Sequence, residues 1–248
     1  MTYEHFANKL NNRIFGKDLH YEILLTVLNN PKRYTGIFRI TNAKTKLIQN
    51  TTQSCEIKFG DFIEEILTEY IAMMGYEDLN KNIGIDEDNN HLNADQAFKK
   101  DDNIYLIEQK IRDDHDSTKK REQYSNLIKK IKCLKQNFPQ QKIKACMWFS
   151  DESLKKSKKF YNEQIDNNTD DMVELYIFYG REPFKIFFER TDIWDEIVRY
   201  LKKHKQERSK EILNVPDFDT SSEIKTALLQ IKHNNLTLIK NLLSSRTD

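Results

Sequence analysis

Asp95, Glu108 and Lys110 are the residues of this 248-residue chain whose types and spacing point most directly to chemistry. Twelve residues separate Asp95 from Glu108, and Glu108-Gln109-Lys110 sits in NIYLIEQKIR, a run that reads as a β-strand. Side chains alternate across a strand, so Glu108 and Lys110 share a face while Gln109 points to the other. The earlier stretch LNADQAF reads as a second strand, joined to the first through the turn-rich KKDD, and a hairpin of the two brings Asp95, at the end of its strand, beside Glu108. Two carboxylates and an ammonium then converge. Two oxygen ligands suit magnesium, a hard cation that keeps several waters and binds through one or two carboxylates together with substrate phosphate. The lysine is placed to orient or deprotonate an attacking water, or to stabilise charge on the phosphate, while the metal polarises the phosphoryl oxygens for in-line attack.

The elements that must hold these residues can be read from hydrophobic spacing. Phe59, Phe62, Ile63, Ile66, Leu67, Tyr70, Ile71 and Met74 recur at three- and four-residue steps, which predicts an amphipathic helix ending near Gly75. After the strand pair, a helix is expected from about Ser117, with Ser or Thr as its cap, to just before Pro139. IKACMWF reads as a buried strand, 153–165 as a lysine-rich helix, VELYIFYG and PFKIFFE as strands, and IWDEIVRYLKKHKQ as a helix. This alternation predicts an α/β fold, a mixed β-sheet flanked by helices. Before it, residues 1–58 form an N-terminal region packed on the core: an amphipathic opening, a helical YEILLTVLNN, then GIFRITNAKTKLIQNTT as a β-hairpin or a strand and loop. After Asn214, Pro216 and a polar run break the pattern, and a final helix over about 222–243 makes a helical C-terminal extension, 214–248.

Composition narrows the function classes. Forty basic residues against 39 acidic ones leave a net charge of +1, without the global excess of a protein that coats nucleic acid, so any DNA-binding surface is local. Lysine clusters at 119–121, 129–135, 155–159 and 202–210 are candidates for such a surface, and each is also compatible with an ordinary solvated helix face. Cys55, Cys133 and Cys146 carry no C-x-x-C spacing, so neither a disulfide framework nor a thiolate zinc site is expected. No segment approaches the ~20 apolar residues of a membrane span and the start has no long apolar core, so a cytoplasmic protein is expected. His5, His20, His91, His204 and His233 are too dispersed for an H-E-x-x-H metal motif, and neither a phosphate loop, a nucleophile elbow nor a dinucleotide fingerprint occurs.

The run Ala94-Asp95, followed by Glu108-Gln109-Lys110 on a neighbouring strand, resembles the core of the PD-(D/E)XK nuclease superfamily, with Ala94 where that motif usually has proline. The proline supplies backbone shape and no ligand. Gly60-Asp61-Phe62-Ile63-Glu64 at the start of the amphipathic helix resembles the superfamily helix whose glutamate reaches toward the metal, which gives Glu64 that role and leaves it also open to reading as a solvated helix glutamate. IEQKIRDDHDSTKKREQYSN, a strand running into a polar loop and a basic helix, looks like Type II restriction endonucleases, in which this segment approaches the DNA. The resemblance spans roughly 58–150 and implies a restriction-endonuclease-like core over 59–213. It implies Asp95 and Glu108 on Mg2+ with the Gln109 main-chain carbonyl, Lys110 on the water and Glu64 in support. Lys119, Lys120 and Arg121 become phosphate contacts, and Gln123 a contact from the helix. His115, in the polar knot Asp113 to Asp116, reads as a loop residue with a possible phosphate role.

The implied activity is hydrolysis of both strands of double-stranded DNA at a short specific sequence, by a homodimer whose two-fold symmetry matches that of the site, with a cognate DNA methyltransferase as genetic partner. Two alternatives stay open: a structure-specific repair or junction-resolving nuclease of the same superfamily, and a catalytically inactive DNA-binding module. Pro216-Asp217 with Glu223-Ile224-Lys225 fits the written motif more literally, but only five residues separate Asp217 from Glu223 and TSSEIKTALLQIK has the cap and spacing of a helix start.

Overall fold

The computed structural model describes residues 1–14, 19–35, 40–208 and 220–244. They fall into two compact units, one of residues 1–62 with 200–248 and one of Ile63–Arg199.

The second unit holds the sheet. Its five strands are β1 (Glu77–Asp78), β4 (Gln96–Lys100), β5 (Asn103–Lys110), β6 (Lys142–Phe149) and β7 (Val173–Tyr179), in the order β1-β4-β5-β6-β7. β1, β4 and β5 are antiparallel neighbours, and β5, β6 and β7 are parallel. A parallel step needs a crossover, and these are made by α5 (Ser117–Asn137) and α6 (Lys158–Asp166). β2 (Asn82–Ile85) and β3 (His91–Asn93) form a separate two-stranded sheet. The mixed sheet and its helices make the expected restriction-endonuclease-like architecture.

Register sorts the side chains onto two faces. Ile104 and Leu106 share a face with Ile143, Ala145, Met147 and Phe149, and with Leu127, Ile131 and Leu134 of α5 they form one core. Glu108 and Lys110 continue that face by strand alternation. The opposite face is aromatic: Tyr76, Phe98, Tyr105, Phe178, Phe187 and Phe188 meet in edge and stacked contacts 5.0–5.6 Å apart. β6 is buried on both faces, as a strand flanked by parallel partners must be.

In the first unit, Phe6 of α1 (Tyr3–Ile14) meets Phe62 and Tyr200 edge-on at 5.0 and 5.4 Å. Leu24 of α2 (Leu19–Asn29) packs with Ile224, Ala227 and Ile231.

Several sequence expectations need correction. GIFRITNAKTKLIQNTT contains no described strand: 36–39 lie outside the described residues, a short α3 (Lys32–Thr35) precedes them, and α4 runs from Ala43 to Met73. Asn42 Oδ1 accepts the Thr45 N–H at 2.8 Å, a cap that starts the helix ahead of β-branched residues whose pattern suggests a strand. The far end matches expectation, with Gly75 at φ 78° just beyond the last turn. PFKIFFE is α7 (Glu182–Ile186), because Phe184, Phe187 and Phe188 at helical spacing drop into the aromatic face while Pro183 suits a first turn. α6 begins only at Lys158, the preceding residues forming turns. α5 is capped by Asp116, whose Oδ1 accepts from Thr118 N and Lys119 N at 3.0 and 2.9 Å, so neither Ser117 nor Thr118 is the cap. α8 (Thr191–Glu207) is as expected. The final helix is two, α9 (Ser222–Asn234) and α10 (Leu236–Ser244), broken at Asn235, whose amide donates to Tyr21 Oη at 3.1 Å. Ser221 caps α9 and Glu223 lies in its first turn, as the reading of TSSEIK requires; Pro216 and Asp217 lie outside the described residues.

Candidate active site

Asp95 stands just ahead of β4, at the open end of the β4–β5 hairpin rather than at the end of a strand. Gln96 pairs with Ile107, so the antiparallel register sets Asp95 opposite Glu108. Asp95 Oδ2 accepts the Gln109 N–H at 2.7 Å, tying the carboxylate to the neighbouring backbone. Lys110 Nζ donates to Asp95 Oδ2 at 3.3 Å and to the Gln109 carbonyl at 2.8 Å, and lies 4.0 Å from Glu108 Oε2. Two carboxylates and one carbonyl thus surround a single ammonium. This is an all-oxygen donor set already arranged around a positive charge, and it fits a hard divalent cation. Among the described residues no three His, Cys, Asp or Glu side chains converge in the manner of a metal cage. Such a cation would be held by Asp95, Glu108 and the Gln109 carbonyl, with water and phosphate completing its shell, the habit of magnesium.

The electrostatics are those of a half-closed site. Glu108 is 5% exposed, whereas the side chains of Asp95 and Lys110 are each 27% exposed. Burial pushes the Glu108 carboxyl above the usual carboxylate range and the Asp95 charge pushes the same way, while Lys130 and Lys110 oppose them.

Lys130 was not foreseen from the sequence. It projects from the buried face of α5, between Leu127 and Leu134, and its Nζ donates to Glu108 Oε1 at 2.6 Å. At 4% exposure it is as buried as its partner. A lysine is almost never so buried unless paired. The available signal was positional, since Lys130 falls within the Leu127, Ile131, Leu134 stripe. Gln96 was missed too. Fully buried, it donates from Nε2 to the Glu64 carbonyl at 2.7 Å and accepts from Thr68 Oγ1 at 2.9 Å, fastening α4 to β4 one residue from Asp95.

The other expected residues are placed less centrally. Glu64 Oε1 is paired with Lys81, and its carboxylate does not join those of Asp95 and Glu108 in one cluster. Lys119 and Arg121 are exposed on the first turns of α5, and the Lys120 ammonium lies 4.9 Å from the centroid of the Phe160 ring. Gln123 is half-buried, its amide 3.5 Å from both His115 Nε2 and Tyr161 Oη. Burial holds the His115 imidazole below its usual pKa, helped by the Lys119 charge, so it is neutral near pH 7.

A mixed sheet with an acidic pair and a lysine at the open end of its central hairpin is the architecture of restriction-endonuclease-like enzymes. The chain matches the family described as Type II restriction endonuclease, HinfI, over residues 2–93 and 75–205, and it belongs to that family. No curated protein matches the chain. Family membership makes it a Type II site-specific deoxyribonuclease. No helix among the described residues is long and apolar enough to cross a membrane.

Proposed function

We propose that the protein hydrolyses both strands of double-stranded DNA at a short specific sequence, with Mg2+ held by Asp95, Glu108 and the Gln109 carbonyl. The observation that carries this reading is the gathering of those three oxygens around the Lys110 ammonium, within 4.0 Å. Magnesium, when bound, supplies Lewis acidity at the phosphoryl oxygen and makes water a better nucleophile. The chain supplies the rest. The Gln109 N–H keeps Asp95 aimed inward, Lys130 occupies one oxygen of Glu108 and leaves the other facing the site, and Lys110 orients the attacking water and offsets charge on the phosphate. Glu64, on the helix that Gln96 fastens to β4, would support the metal on leaving Lys81. Lys119, Lys120 and Arg121 grip phosphates, and Gln123 steadies the start of α5 against them.

One such centre cuts one strand, so the proposal includes a homodimer at a two-fold symmetric site. It also includes a cytoplasmic setting in which a cognate methyltransferase protects the host's own copies of the target. The test incubates wild type and Lys110→Ala with unmethylated phage DNA, in magnesium or in EDTA, and resolves the products on a gel. Discrete bands from wild type in magnesium alone are the expected result. A smear from wild type would overturn sequence specificity, and discrete bands from Lys110→Ala would place the site elsewhere.

A further inference from the structure

Basic residues of the sheet-bearing unit divide into paired and unpaired. Lys81, Lys129, Lys135 and Lys142 each sit on a carboxylate. Lys119, Lys120, Arg121, Lys155, Lys156 and Lys158 do not: among the described residues none has a carboxylate at ion-pair distance, and of the 155–159 run only Lys159 approaches one, Glu163 at 4.0 Å. These unpaired cations come from two segments that meet. The Lys120 ammonium rests by the Phe160 ring, Lys156 Nζ donates to the Asp114 carbonyl at 3.4 Å, and the Lys155 and Lys158 ammoniums lie 5.3 and 5.7 Å from the centroid of the Tyr179 ring.

The turn that carries three of them is firmly mounted. Asp113 is fully buried, and its Oδ2 accepts from Ser157 N and from Tyr179 Oη, each at 2.8 Å. Its backbone bridges to Lys155, and its carbonyl accepts the Lys156 N–H at 3.2 Å. Asp113 follows Lys110 by three residues, so the turn is fixed directly to the exit of the catalytic strand. Burying a carboxylate among neutral donors is costly. A turn of exposed lysines gives the hydrophobic core nothing in return, and what the mount does achieve is a fixed backbone under three lysines, tied to the segment that leaves β5.

We propose that the Lys155–Lys158 turn is a binding site for the phosphate backbone of duplex DNA, continuous with Lys119–Arg121, and that Asp113 is its positioning residue. This rests on the nuclease reading above and adds to it a second backbone contact, carried by the segment that meets the start of α5.

The test measures binding of a mixed-sequence duplex by fluorescence anisotropy, without magnesium, from ~50 to ~200 mM salt. The proteins are wild type, a Lys155→Ala/Lys156→Ala/Lys158→Ala triple variant, the corresponding triple arginine variant, and Asp113→Asn. The alanine triple is expected to bind at least tenfold more weakly at the lowest salt, with a log K against log salt slope shallower by about 2–3, the value for two or three phosphate contacts. The arginine triple should keep the wild-type slope. Asp113→Asn, which removes no lysine, should lose part of the slope. Single-turnover cleavage by the alanine triple should fall more at sub-saturating than at saturating DNA, the split expected of a binding contact. An alanine triple with wild-type affinity and slope, in a protein whose wild type binds and cuts, overturns this proposal alone; a wild type that neither binds nor cuts overturns the nuclease reading with it.

Discussion

Glu108 and Asp113 stand five residues apart on the way out of β5, with 5% and 0% of their surface exposed. Glu108 faces two ammoniums, Lys130 at 2.6 Å and Lys110 at 4.0 Å, and its carboxyl is pushed above the usual range by burial and by Asp95. Asp113 meets a backbone N–H and a phenol, both neutral, and burial, followed by that carboxylate, pushes the Tyr179 phenol up in turn. The contrast is between a carboxylate whose partners are exchangeable charges and one whose partners are directional neutral donors. A second cation can replace one partner of Glu108 without altering the fold. Replacing a partner of Asp113 dismantles a turn.

That contrast can be broken most severely at Glu108. Glu108→Gln should reduce single-turnover cleavage on the order of 10³-fold or more. It also leaves the Lys130 ammonium buried against an amide, which should lower unfolding stability by about 3 kcal/mol in urea titrations. Adding Lys130→Met should recover most of the stability and none of the cleavage; recovery of cleavage would mean that Glu108 holds structure and not metal.

Next in size is Lys130→Met alone. The native state holds the Glu108 proton more tightly than the unfolded chain does, so this group's contribution is full below its unfolded pKa and declines as pH rises through the folded one. Lys130 opposes that rise, and removing it extends the decline to higher pH. The variant's stability deficit should therefore grow with pH, from small near pH 4 to about 2–3 kcal/mol near pH 8. Half-saturating magnesium should increase by about 10- to 100-fold, the usual effect of losing a residue that orients a ligand. A deficit that is flat with pH would separate Lys130 from Glu108.

Asp113→Ala should destabilise by about 2 kcal/mol, since Ser157 N and Tyr179 Oη lose their acceptor in a buried setting. Asp113→Asn should do less, because an amide oxygen still accepts the Ser157 N–H, while a neutral acceptor holds the turn less firmly than a carboxylate does. Smallest is Gln96→Leu, expected at about 1–2 kcal/mol. Its signature should be faster amide exchange across 64–68 of α4, with cleavage reduced through Glu64 and not abolished.

The β4–β5 hairpin was legible because strand alternation and hairpin register are local rules: the same counting that puts Glu108 and Lys110 on one face puts Asp95 opposite Glu108. The start of α5 was legible to within a residue, and its cap was misassigned because Asp116, Ser117 and Thr118 can all cap and only the turn geometry chooses. α4 was half legible. Residues 43–52 carry β-branched side chains whose strand-like pattern is overridden by one asparagine cap and by continuity with the strongly periodic 59–74. PFKIFFE supports either period over seven residues, and the sheet edge at β7 decides for helix. Lys130 was hidden in KKIK, where one lysine points inward and its neighbours outward, a distinction that depends on what lies across the helix.

Helix α5 carries Lys119, Lys120 and Arg121 in its first turns and, ten residues beyond Lys120, holds Glu108 through Lys130, a span of roughly 15 Å along one rod. The rod is therefore a measuring stick in angle as well as in length. Inserting a single residue between Arg121 and Lys129 would leave both ends intact in composition, yet rotate Lys130 by about 100° away from Glu108. The count of residues along α5, as well as their identity, sets which side chain meets Glu108.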